Sequence, residues 1–482
     1  MDKLIGFMPD AEATTPGILT DCNNLVPYDN GLAGAPSGVI PASVPTLAAA
    51  CIGAATVTKL DGVRRLFSGT TTKLYELGGS WADVSRVGNY AGGIDTRLSF
   101  AQFGNATLVA NGVEKIQRSA SGAFADITSA PVAKIIFSVG AFVMALNTND
   151  GAVKPDGWHC SASFDDTDWT ASLTTLSAKG RLVSTPGALT AGGRLGEYAV
   201  AYKEKAIYVG QFVGAPSVWD WQQIPGGEAG CVGQEAWCDI GGAHLVVGQD
   251  NLWLFDGSRP VAIADGSVRQ WFYNNSSPLY RYKIKCVFDR QTNLAWIFYP
   301  SKNSSVPDQA LVYHVPSKRW GKVTLTLQAV MDYVSAGTTI DGLSSISATI
   351  NGLASFSFDS QFWLTGGRSL AYFDTANQLR SLTGTSQSSS MTTGHAGDDD
   401  RVTRLSKIRL RFAPGYNPAS ASVQTFSAMN QGDALTPRST STINDGKFDV
   451  LQEARFHVGR FAFTGDMRVI GISADLKPTG TR

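Results

Sequence analysis

Short apolar runs that are separated by polar turns dominate most of the chain. A turn rich in Gly, Asn, Lys or Thr leads into a few apolar or aromatic residues, and a second polar turn follows. Runs of this length between turn residues predict β-strands. The pattern recurs in seven places: Gly69–Tyr75, Gly104–Asn111, Gly140–Asn147, Lys203–Gly210, Gly248–Asp256, Arg290–Tyr299 and Gly366–Asp374.

Each recurrence belongs to a unit of several strands. A further strand with an aromatic or acidic corner follows four of them, at Trp81–Val84, Phe124–Ile127, Trp219–Trp221 and Trp320–Val323. The units start about 35 to 45 residues apart, which is the length of one four-stranded propeller blade. A single blade cannot bury both of its faces, so blades stack around an axis. We therefore predict an all-β protein with a β-propeller of about six or seven blades.

Nine aromatic residues in these units are predicted to pack between blades: Phe100, Phe103, Phe137, Phe142, Tyr208, Trp253, Phe288, Trp296 and Tyr372. Each would stabilise the fold by on the order of 2 to 3 kcal/mol if fully buried. Sugar-binding platforms are the alternative interpretation, but such residues more often fill interiors. Two wider intervals, 147–203 and 299–366, are expected to hold insertions or an unrecognised blade.

Composition shifts divide the chain into three predicted parts. Residues 1–45 are rich in proline and predict an extended arm that closes the ring or crosses to a neighbour. The propeller is assigned to residues 46–384, with insertions. Thr383–Asp400, dominated by Ser, Thr and Gly, is predicted to be a linker. Residues 385–482 are predicted to form a β-sandwich, because period-two alternation marks Leu405–Phe412, Arg455–Phe463 and Met467–Leu476.

The charge balance limits the classes of function. The chain has 40 basic and 40 acidic residues, and no dense basic run. Tight nucleic-acid binding is therefore disfavoured, although a passive conduit for DNA remains possible. The N-terminus lacks a secretory signal, and no apolar run approaches the roughly 20 residues that cross a bilayer. We expect a soluble protein without a membrane span or an export signal of its own.

Candidate metal sites are weak. Cys231 and Cys238 are separated by six residues, which matches no common zinc spacing, so reduced cysteines are expected. None of the five histidines has the spacing of a zinc protease or of a serine hydrolase. His159 and Cys160 are adjacent but would need distant partners to bind a metal. Asn147–Gly151 is similar to a calcium loop without its last acidic ligand, which favours a polar turn.

Candidate catalytic carboxylates have a plainer interpretation too. Asp165, Asp166 and Asp168 beside Trp169 could be a glycosidase pair, but side chains that cap a hairpin corner are favoured. Asp398–Asp400 could bind a divalent cation, although such acidic runs are usually solvated. We predict no catalytic, cofactor-binding or metal residue, no cofactor and no enzymatic activity.

Three segments, in this order, carry a resemblance to a known family. The opening Phe7–Asp10 through Pro16–Asp21, with Asn24, Val26–Pro27 and Gly31, resembles the start of tail nozzle proteins of short-tailed bacteriophages, also described as packaged-DNA stabilisation or head-completion proteins. Trp253–Gly257, with Pro260–Val261, Val268–Arg269 and Phe272, is similar to a blade of that family. The ending Ala454–His457, Gly471, Asp475 and Pro478–Arg482 resembles its C-terminal sandwich.

The resemblance implies a structural virion protein made of a propeller and a sandwich. Six copies would form a ring at the tip of the tail, beneath the portal and its adaptor protein and beside other tail proteins. The ring would close the tail tube, retain the packaged double-stranded DNA and let it pass through the lumen without sequence-specific binding. The location it implies is the virion tail, after assembly in the host cytoplasm.

Two other functions stay open. One is a carbohydrate-binding or carbohydrate-active propeller, such as a tail-associated receptor-binding protein, suggested by the candidate exposed rings of Trp158, Trp169, Trp219 and Trp221. The other is a cellular interaction propeller of the WD or kelch type. Irregular repeats weaken this last possibility.

Overall fold

Strands are by far the commonest regular element in the described residues. The computed structural model describes residues 2–41, 44–225, 229–334, 349 and 368–481. This described part contains one short helix, α1 (Arg269–Asn275), and one 3-10 turn, Arg281–Lys283. The remaining elements are strands, as the frequent turn residues and short apolar runs predict. No helix in the described ranges is both long and apolar enough to span a lipid bilayer.

The N-terminal region supplies strands to three different sheets. Its strands are β1 (Asp2–Lys3), β2 (Gly6–Phe7), β3 (Ile18–Asn23), β4 (Leu25–Tyr28), β5 (Gly31–Gly34) and β6 (Pro36–Val39). Prolines suit this segment because its strands are short and lie among turns. The segment therefore connects separate parts of the molecule.

Five meanders of four strands follow. They comprise β7 (Gly53–Thr58), β8 (Arg64–Gly69), β9 (Leu74–Leu77) and β10 (Trp81–Asp83); β11 (Ser99–Phe103), β12 (Ala106–Ala110), β13 (Gln117–Ser119) and β14 (Ala125–Asp126); β15 (Val132–Val139), β16 (Phe142–Asn149), β17 (Val153–Cys160) and β18 (Lys179–Arg181); β19 (Leu189–Leu195), β20 (Tyr198–Lys203), β21 (Ala206–Gly214) and β22 (Val218–Gln223); β23 (Trp237–Asp239), β24 (His244–Val247), β25 (Leu252–Phe255) and β26 (Val261–Ala262). Each meander pairs consecutive strands in antiparallel order.

Two more units complete the ring. One is the meander β27 (Lys285–Asp289), β28 (Leu294–Tyr299), β29 (Gln309–His314) and β30 (Arg319–Thr324). The other sheet joins β31 (Ala329–Val334), β32 (Arg368–Phe373) and β33 (Leu379–Ser386) to the N-terminal strand β6. Six of the four-stranded sheets stand alone, whereas β27–β30 continues into a larger sheet.

The first strand of each unit packs against the first strand of the next. Contacts run from β7 to β11, β15 and β19, from β23 to β27 and β31, and from β31 back to β7. Between β19 and β23, Gly193 lies so close to Trp237 that an added Cβ would come within 2.0 Å of the ring. The units thus form a closed ring, and the predicted all-β propeller is confirmed.

The ring closes with a strand from the other end of the chain. β6 forms the outer edge of the last sheet, where Gly38 pairs with Leu382 and Val39 pairs with Ser381. The N-terminal arm therefore joins the last unit of the propeller to residues that precede the first unit. This arrangement holds the ring by backbone hydrogen bonds as well as by side-chain packing.

The seven sequence recurrences fall in seven different units. Four lie on the second strand and three on the third, and the four aromatic or acidic corners lie on fourth strands. The interval 147–203 contains a long connection between β17 and β18 and no extra unit. Within the interval 299–366, residues 335–348 and 350–366 lie outside the described residues, and so does Gly366, where the seventh recurrence begins.

Eight further strands follow the ring. They are β34 (Ser389–Thr393), β35 (Ala396–Gly397), β36 (Arg401–Phe412), β37 (Ser420–Ala428), β38 (Thr436–Thr442), β39 (Phe448–Ala454), β40 (Phe456–Thr464) and β41 (Arg468–Thr481). One sheet runs in the order β2-β3-β34-β40-β37-β38, with β35 on β40. The other runs β27-β28-β29-β30-β4-β5-β41-β36-β39, with β1 on β41, and thus extends a propeller unit.

The two sheets share apolar side chains. Phe448 and Phe461 meet edge to face at 5.5 Å, and Val423 and Ile408 belong to the same buried cluster. The separate C-terminal sandwich is nevertheless not confirmed, because both sheets also contain strands from the first 34 residues. The predicted boundaries at residues 45 and 384 stay predictions.

The predicted linker, Thr383–Asp400, is largely strand, so this prediction is wrong. It contains the end of β33, all of β34 and all of β35. Ser389, Met391 and Thr392 are buried where β34 pairs with β3 and β40. The low hydrophobicity of the segment was misleading, because small hydroxyl side chains fit between two neighbouring strands.

Gly31 tests the junction between β5 and β41. A Cβ at this position would lie 2.0 Å from the Val469 carbonyl oxygen, and a backbone atom in a paired strand cannot yield easily. We predict that Gly31→Ala lowers the free energy of unfolding by on the order of 1 to 3 kcal/mol. Urea denaturation measures the change. Gly78→Ala is the matched control, because nothing lies within 4 Å of its added Cβ; equal losses in the two variants would contradict the junction.

Candidate functional site

The histidine and cysteine considered as metal ligands lie in packed interior. His159 is buried, its Nε2 lies 2.9 Å from the Trp169 carbonyl oxygen, and burial lowers its pKa to about 4. Cys160 is buried, and burial raises the pKa of its thiol to about 11. Among the described residues, no group of three or more His, Cys, Asp or Glu side chains is placed to hold a metal ion.

The other cysteines are also single thiols. All six cysteines, including Cys231 and Cys238, are free thiols. All of them are buried except Cys286, which is partly exposed. Burial raises the pKa of Cys231 to about 12, so this thiol stays protonated and unreactive at neutral pH. These side chains act as small apolar residues in the core.

The aspartates near Trp169 hold turns in place. Asp165 Oδ1 accepts a hydrogen bond from the Thr167 backbone N–H at 2.8 Å, and Asp168 Oδ1 accepts one from the Thr170 N–H at 2.9 Å. Asp166 forms an ion pair with Arg118 at 2.6 Å. These carboxylates cap backbone groups or pair with a cation, which is the hairpin-corner arrangement that the sequence favours.

The two other acidic candidates differ in their surroundings: Asp150 is in ion pairs, whereas Asp398–Asp400 is exposed to solvent. Asp150 lies in ion pairs with Lys154 and Lys179, and hydrogen bonds from these lysines lower its pKa well below the ordinary range. Asp398, Asp399 and Asp400 are exposed, and Asp398 Oδ1 accepts a hydrogen bond from the Asp400 N–H at 2.9 Å. Asp150 thus joins lysines of the same propeller unit, while the acidic run forms a solvated turn before β36.

The tryptophans that suggested sugar binding are not exposed platforms. Trp158, Trp169 and Trp219 are buried, and Trp169 retains only 1% of its exposed area. Trp221 is partly buried and packs against Trp158 with ring centroids 5.8 Å apart. A ring must present its face to solvent to stack on a sugar, so the expectation of exposed rings is wrong at these positions.

Charged side chains occupy the propeller axis at the end where the first strands begin. Glu235 lies just before β23, and its carboxylate pairs with Lys285 of β27 and, at 3.3 Å, with Arg97 before β11. Its neighbour Gln234 donates a hydrogen bond from Nε2 to the Lys134 carbonyl oxygen of β15 at 2.8 Å. The connection before β23 therefore touches three other units across the axis.

We call these residues the axial cluster (Arg97, Lys134, Gln234, Glu235 and Lys285). Burial shifts the pKa values of its two lysines. The Lys285 side chain is only 1% exposed. Its burial lowers its pKa, and the negative charge of Glu235 opposes this shift. Burial and the charge of Arg97 also lower the pKa of Lys134. One carboxylate thus compensates a crowded group of cations, and the cluster links several propeller units at this end of the axis.

An apolar groove opens at the opposite end of the ring, between the third and fourth units. The groove has a volume of about 500 Å³. Its base is an aromatic triad in which Phe142 lies 5.1 Å from Phe212 and 5.6 Å from Trp219, with Phe212 6.0 Å from Trp219. Phe164 stands at its rim and is 83% exposed, while Tyr198 and Phe212 are partly exposed.

The backbone around this groove is unusual. Phe164, Leu176 and Val218 have φ values of 60°, 61° and 61°, a left-handed conformation that bulky side chains rarely adopt. The other non-glycine residues with positive φ in the described ranges are Asn, Asp or Lys. Each bulky left-handed residue costs on the order of 1 kcal/mol or more, and such costs concentrate at functional sites. We take the groove as the candidate interaction site.

The comparisons with known proteins add little to this geometry. No family model matches the chain, and no curated protein matches it. Among solved structures, "YCF48 bound to D1 peptide" is similar at 12% identity and a TM-score of 0.35, over 62% of this chain and 86% of that one. YCF48 from Cyanidioschyzon merolae is similar at 8% identity and a TM-score of 0.34, over 60% and 88%. The resemblance to tail nozzle proteins stays a prediction.

The sequence alone predicts neither the axial cluster nor the apolar groove. Gln234 and Glu235 follow a glycine-rich stretch that carries no motif, and their partners come from three other propeller units. The groove combines Phe164 from a connection with Phe212 from the next unit. The clearest available signal was Phe164 itself, an aromatic residue inside a polar turn.

Glu235 tests the axial cluster. We predict that Glu235→Gln lowers the free energy of unfolding by on the order of 2 to 3 kcal/mol, because Lys285 loses its compensating charge. The loss should stay below that of a fully buried pair, since Glu235 keeps some contact with solvent. Thermal or urea denaturation measures it. The control is Asp239→Asn, whose partner Arg290 is exposed and whose loss should be at most about 1 kcal/mol. Equal effects would rule out an axial role.

His159 generates a pH prediction. Its pKa in the folded protein is about 4, below the ordinary value of 6.5, so the unfolded chain binds the proton first as the pH falls. Its contribution is present above pH 6.5 and is lost between about 6.5 and 4. We expect His159→Gln to remove up to about 3 kcal/mol of the loss of stability between pH 7 and 4. Unfolding at both pH values checks this; the half-buried His395→Gln should change less, and a pH dependence identical to that of the unmodified protein would contradict the assignment.

Proposed function

We propose that this protein is a structural component of a virion tail, a nozzle that closes the short tail tube, retains packaged DNA and serves as its exit conduit. In this proposal the chain forms a homohexameric ring that binds the adaptor protein at the portal and other tail proteins. The role requires no enzymatic activity and no cofactor. The ordered resemblance of three segments to nozzle proteins motivates it.

The observation that supports a mechanical role is the ten-stranded sheet. It runs from β27, the first strand of a propeller unit, to β39 at the far edge. The joints are backbone pairings: Lys322 with Leu25 between β30 and β4, and Leu32 with Val469 between β5 and β41. Paired strands resist bending better than a single connecting peptide. A part that must hold DNA under pressure benefits from such a connection.

The axial cluster bears on where a conduit would lie. Because Glu235 pairs with Lys285 and with Arg97 of two other units, ion pairs cross the propeller axis at one end, and in this proposal the DNA duplex does not pass through a single ring of blades. The proposed lumen is therefore the space that six copies enclose. In this proposal each propeller forms part of the wall around that lumen.

The apolar groove supports self-association. Exposed apolar patches that are rimmed by polar residues mark interaction surfaces. Phe164 projects into solvent beside the aromatic triad, and a neighbouring copy would bury it. We propose the groove as a contact between adjacent copies. The carbohydrate-binding alternative has lost the exposed tryptophans that suggested it.

The test is assembly of the purified chain, alone and with portal and adaptor. Sedimentation and electron microscopy should show a ring of about six copies of the 51.2 kDa chain. Phe164→Gly should weaken assembly at least about tenfold, equivalent to 1.4 kcal/mol per contact. It should not lower stability, because glycine suits a φ of 60°.

Val87→Ser provides the matched control, since Val87 is 98% exposed and lies away from the groove. A chain that stays monomeric and joins no tail component would refute the proposed function. A ring that forms equally well with Phe164→Gly would refute only the groove as its contact.

A further inference from the structure

Basic side chains gather on the outward face of β36. We call this surface the arginine face; its members are Arg404, Lys407, Arg409 and Arg411 of β36, Lys477 of β41 and Lys3 of β1. The alternate residues Leu405, Ile408 and Leu410 are buried against the other sheet. A register shift between Leu405 and Lys407 lets both Ser406 and Lys407 face outward, so the alternation resumes beyond it.

Strand register places the members from different strands side by side. Arg404 pairs with Lys477 across β36 and β41. Gly471 pairs with Arg411 on one side and with Lys3 on the other, so these two basic residues flank a glycine on one row. Paired residues point to the same face of a sheet, and the basic groups therefore form one surface.

Acidic side chains neutralise only the middle of the face. Asp475 accepts a hydrogen bond from Ser406 Oγ at 2.9 Å and lies 3.4 Å from Lys407. Asp449, opposite Lys407, pairs with Lys447 at 3.0 Å. Glu453 is opposite Arg404 in the register. The centre of the face is thus nearly balanced.

The end of the face near β1 has no such balance. Lys3, Arg409 and Arg411 are exposed, and within the described part of the chain they have no ion pair or side-chain hydrogen bond. The chain as a whole has zero formal charge, so this end concentrates positive charge that is compensated elsewhere. Unpaired cations on a solvent-exposed face attract and can bind an anionic partner.

We propose that the arginine face contacts the phosphate backbone of double-stranded DNA. Guanidinium groups match phosphate oxygens with two parallel hydrogen bonds. Arg409 and Arg411 point the same way about 6.5 to 7 Å apart, since a strand rises about 3.3 Å per residue. A DNA strand presents one phosphate per about 3.4 Å of its axis, so two such side chains can reach two phosphates on one strand.

The balanced centre keeps this contact weak. Only the end around Arg409 and Arg411, together with Lys3, supplies uncompensated charge, which suits a surface that holds DNA transiently without reading its sequence. The inference deepens the proposed function and takes the identity of the polyanion from it. The neutral net charge disfavoured tight binding, and the segregation of charge permits a local, salt-sensitive contact.

Binding of a labelled DNA duplex of random sequence to the purified chain tests the inference. Fluorescence anisotropy should detect binding at about 50 mM salt, and log K should fall linearly with log salt with a slope of about −3. Arg409→Ser/Arg411→Ser should weaken binding at least about tenfold at 50 mM salt and make the slope shallower by about 2.

The control is Arg194→Ser/Arg259→Ser, which removes the same charge from exposed propeller positions. Control and test variants should keep the thermal midpoint of the unmodified protein. Failure to bind DNA at low salt, or equal losses in both double variants, would overturn the inference. Tighter binding to polyglutamate than to DNA would also overturn it and would indicate an acidic protein surface as the partner.

The DNA-binding experiment can fail independently of the assembly experiment that tests the proposed function, because the titration needs neither a ring nor a tail. A chain that assembles into tails but does not bind DNA through Arg409 and Arg411 overturns only this inference. A chain that binds DNA there but joins no tail component overturns only the proposed function.

Discussion

Backbone pairing between opposite ends of the chain is the constraint on which the rest of the structure depends. β6 completes the last propeller sheet, while β4 and β5 connect the β27–β30 unit to β41. Each unpaired edge would leave backbone donors and acceptors without partners. Residues before the ring therefore satisfy edges on both sides of it, and the propeller and the strands after it share one hydrogen-bonded framework.

Within that framework, burial decides what each polar group can do. His159 and the thiols of Cys160 and Cys231 are kept neutral by burial, so they behave as packing residues. Lys285 is buried too, but Glu235 lies against it and supports its charge. Arg409 and Arg411 of β36 are in the opposite situation, because they are exposed to water and form no ion pair with a carboxylate of the described residues. Identical residue types thus serve structure at the axis and remain available for binding at the surface.

Local patterns carried the fold prediction far. The recurrence of a turn and an apolar strand, as in Gly140–Asn147, depends on neighbours in sequence, and it marked every propeller unit. Pairing between distant edges has no such local signature, so the partner of β5 could not be predicted. Thr383–Asp400 was assigned as a linker because its composition is polar, although β3 and β40 enclose part of it. The alternation of Arg409 and Arg411 was visible, but their lack of partners required the register of three strands. Phe164 and Phe212 meet only after two units pack together.

The pairing of β1 and β5 with β41 has a consequence for biosynthesis. β1 and β5 leave the ribosome hundreds of residues before β41, the strand with which both of them pair. Propeller units can collapse one after another during translation, while the edges of β1 and β5 stay without this partner until β41 has been synthesised. Such long-range pairing slows folding and exposes edges that associate with other nascent chains. The pairings with β41 are therefore among the late steps of folding, and contact between unfinished neighbouring chains on one message is the main hazard to yield.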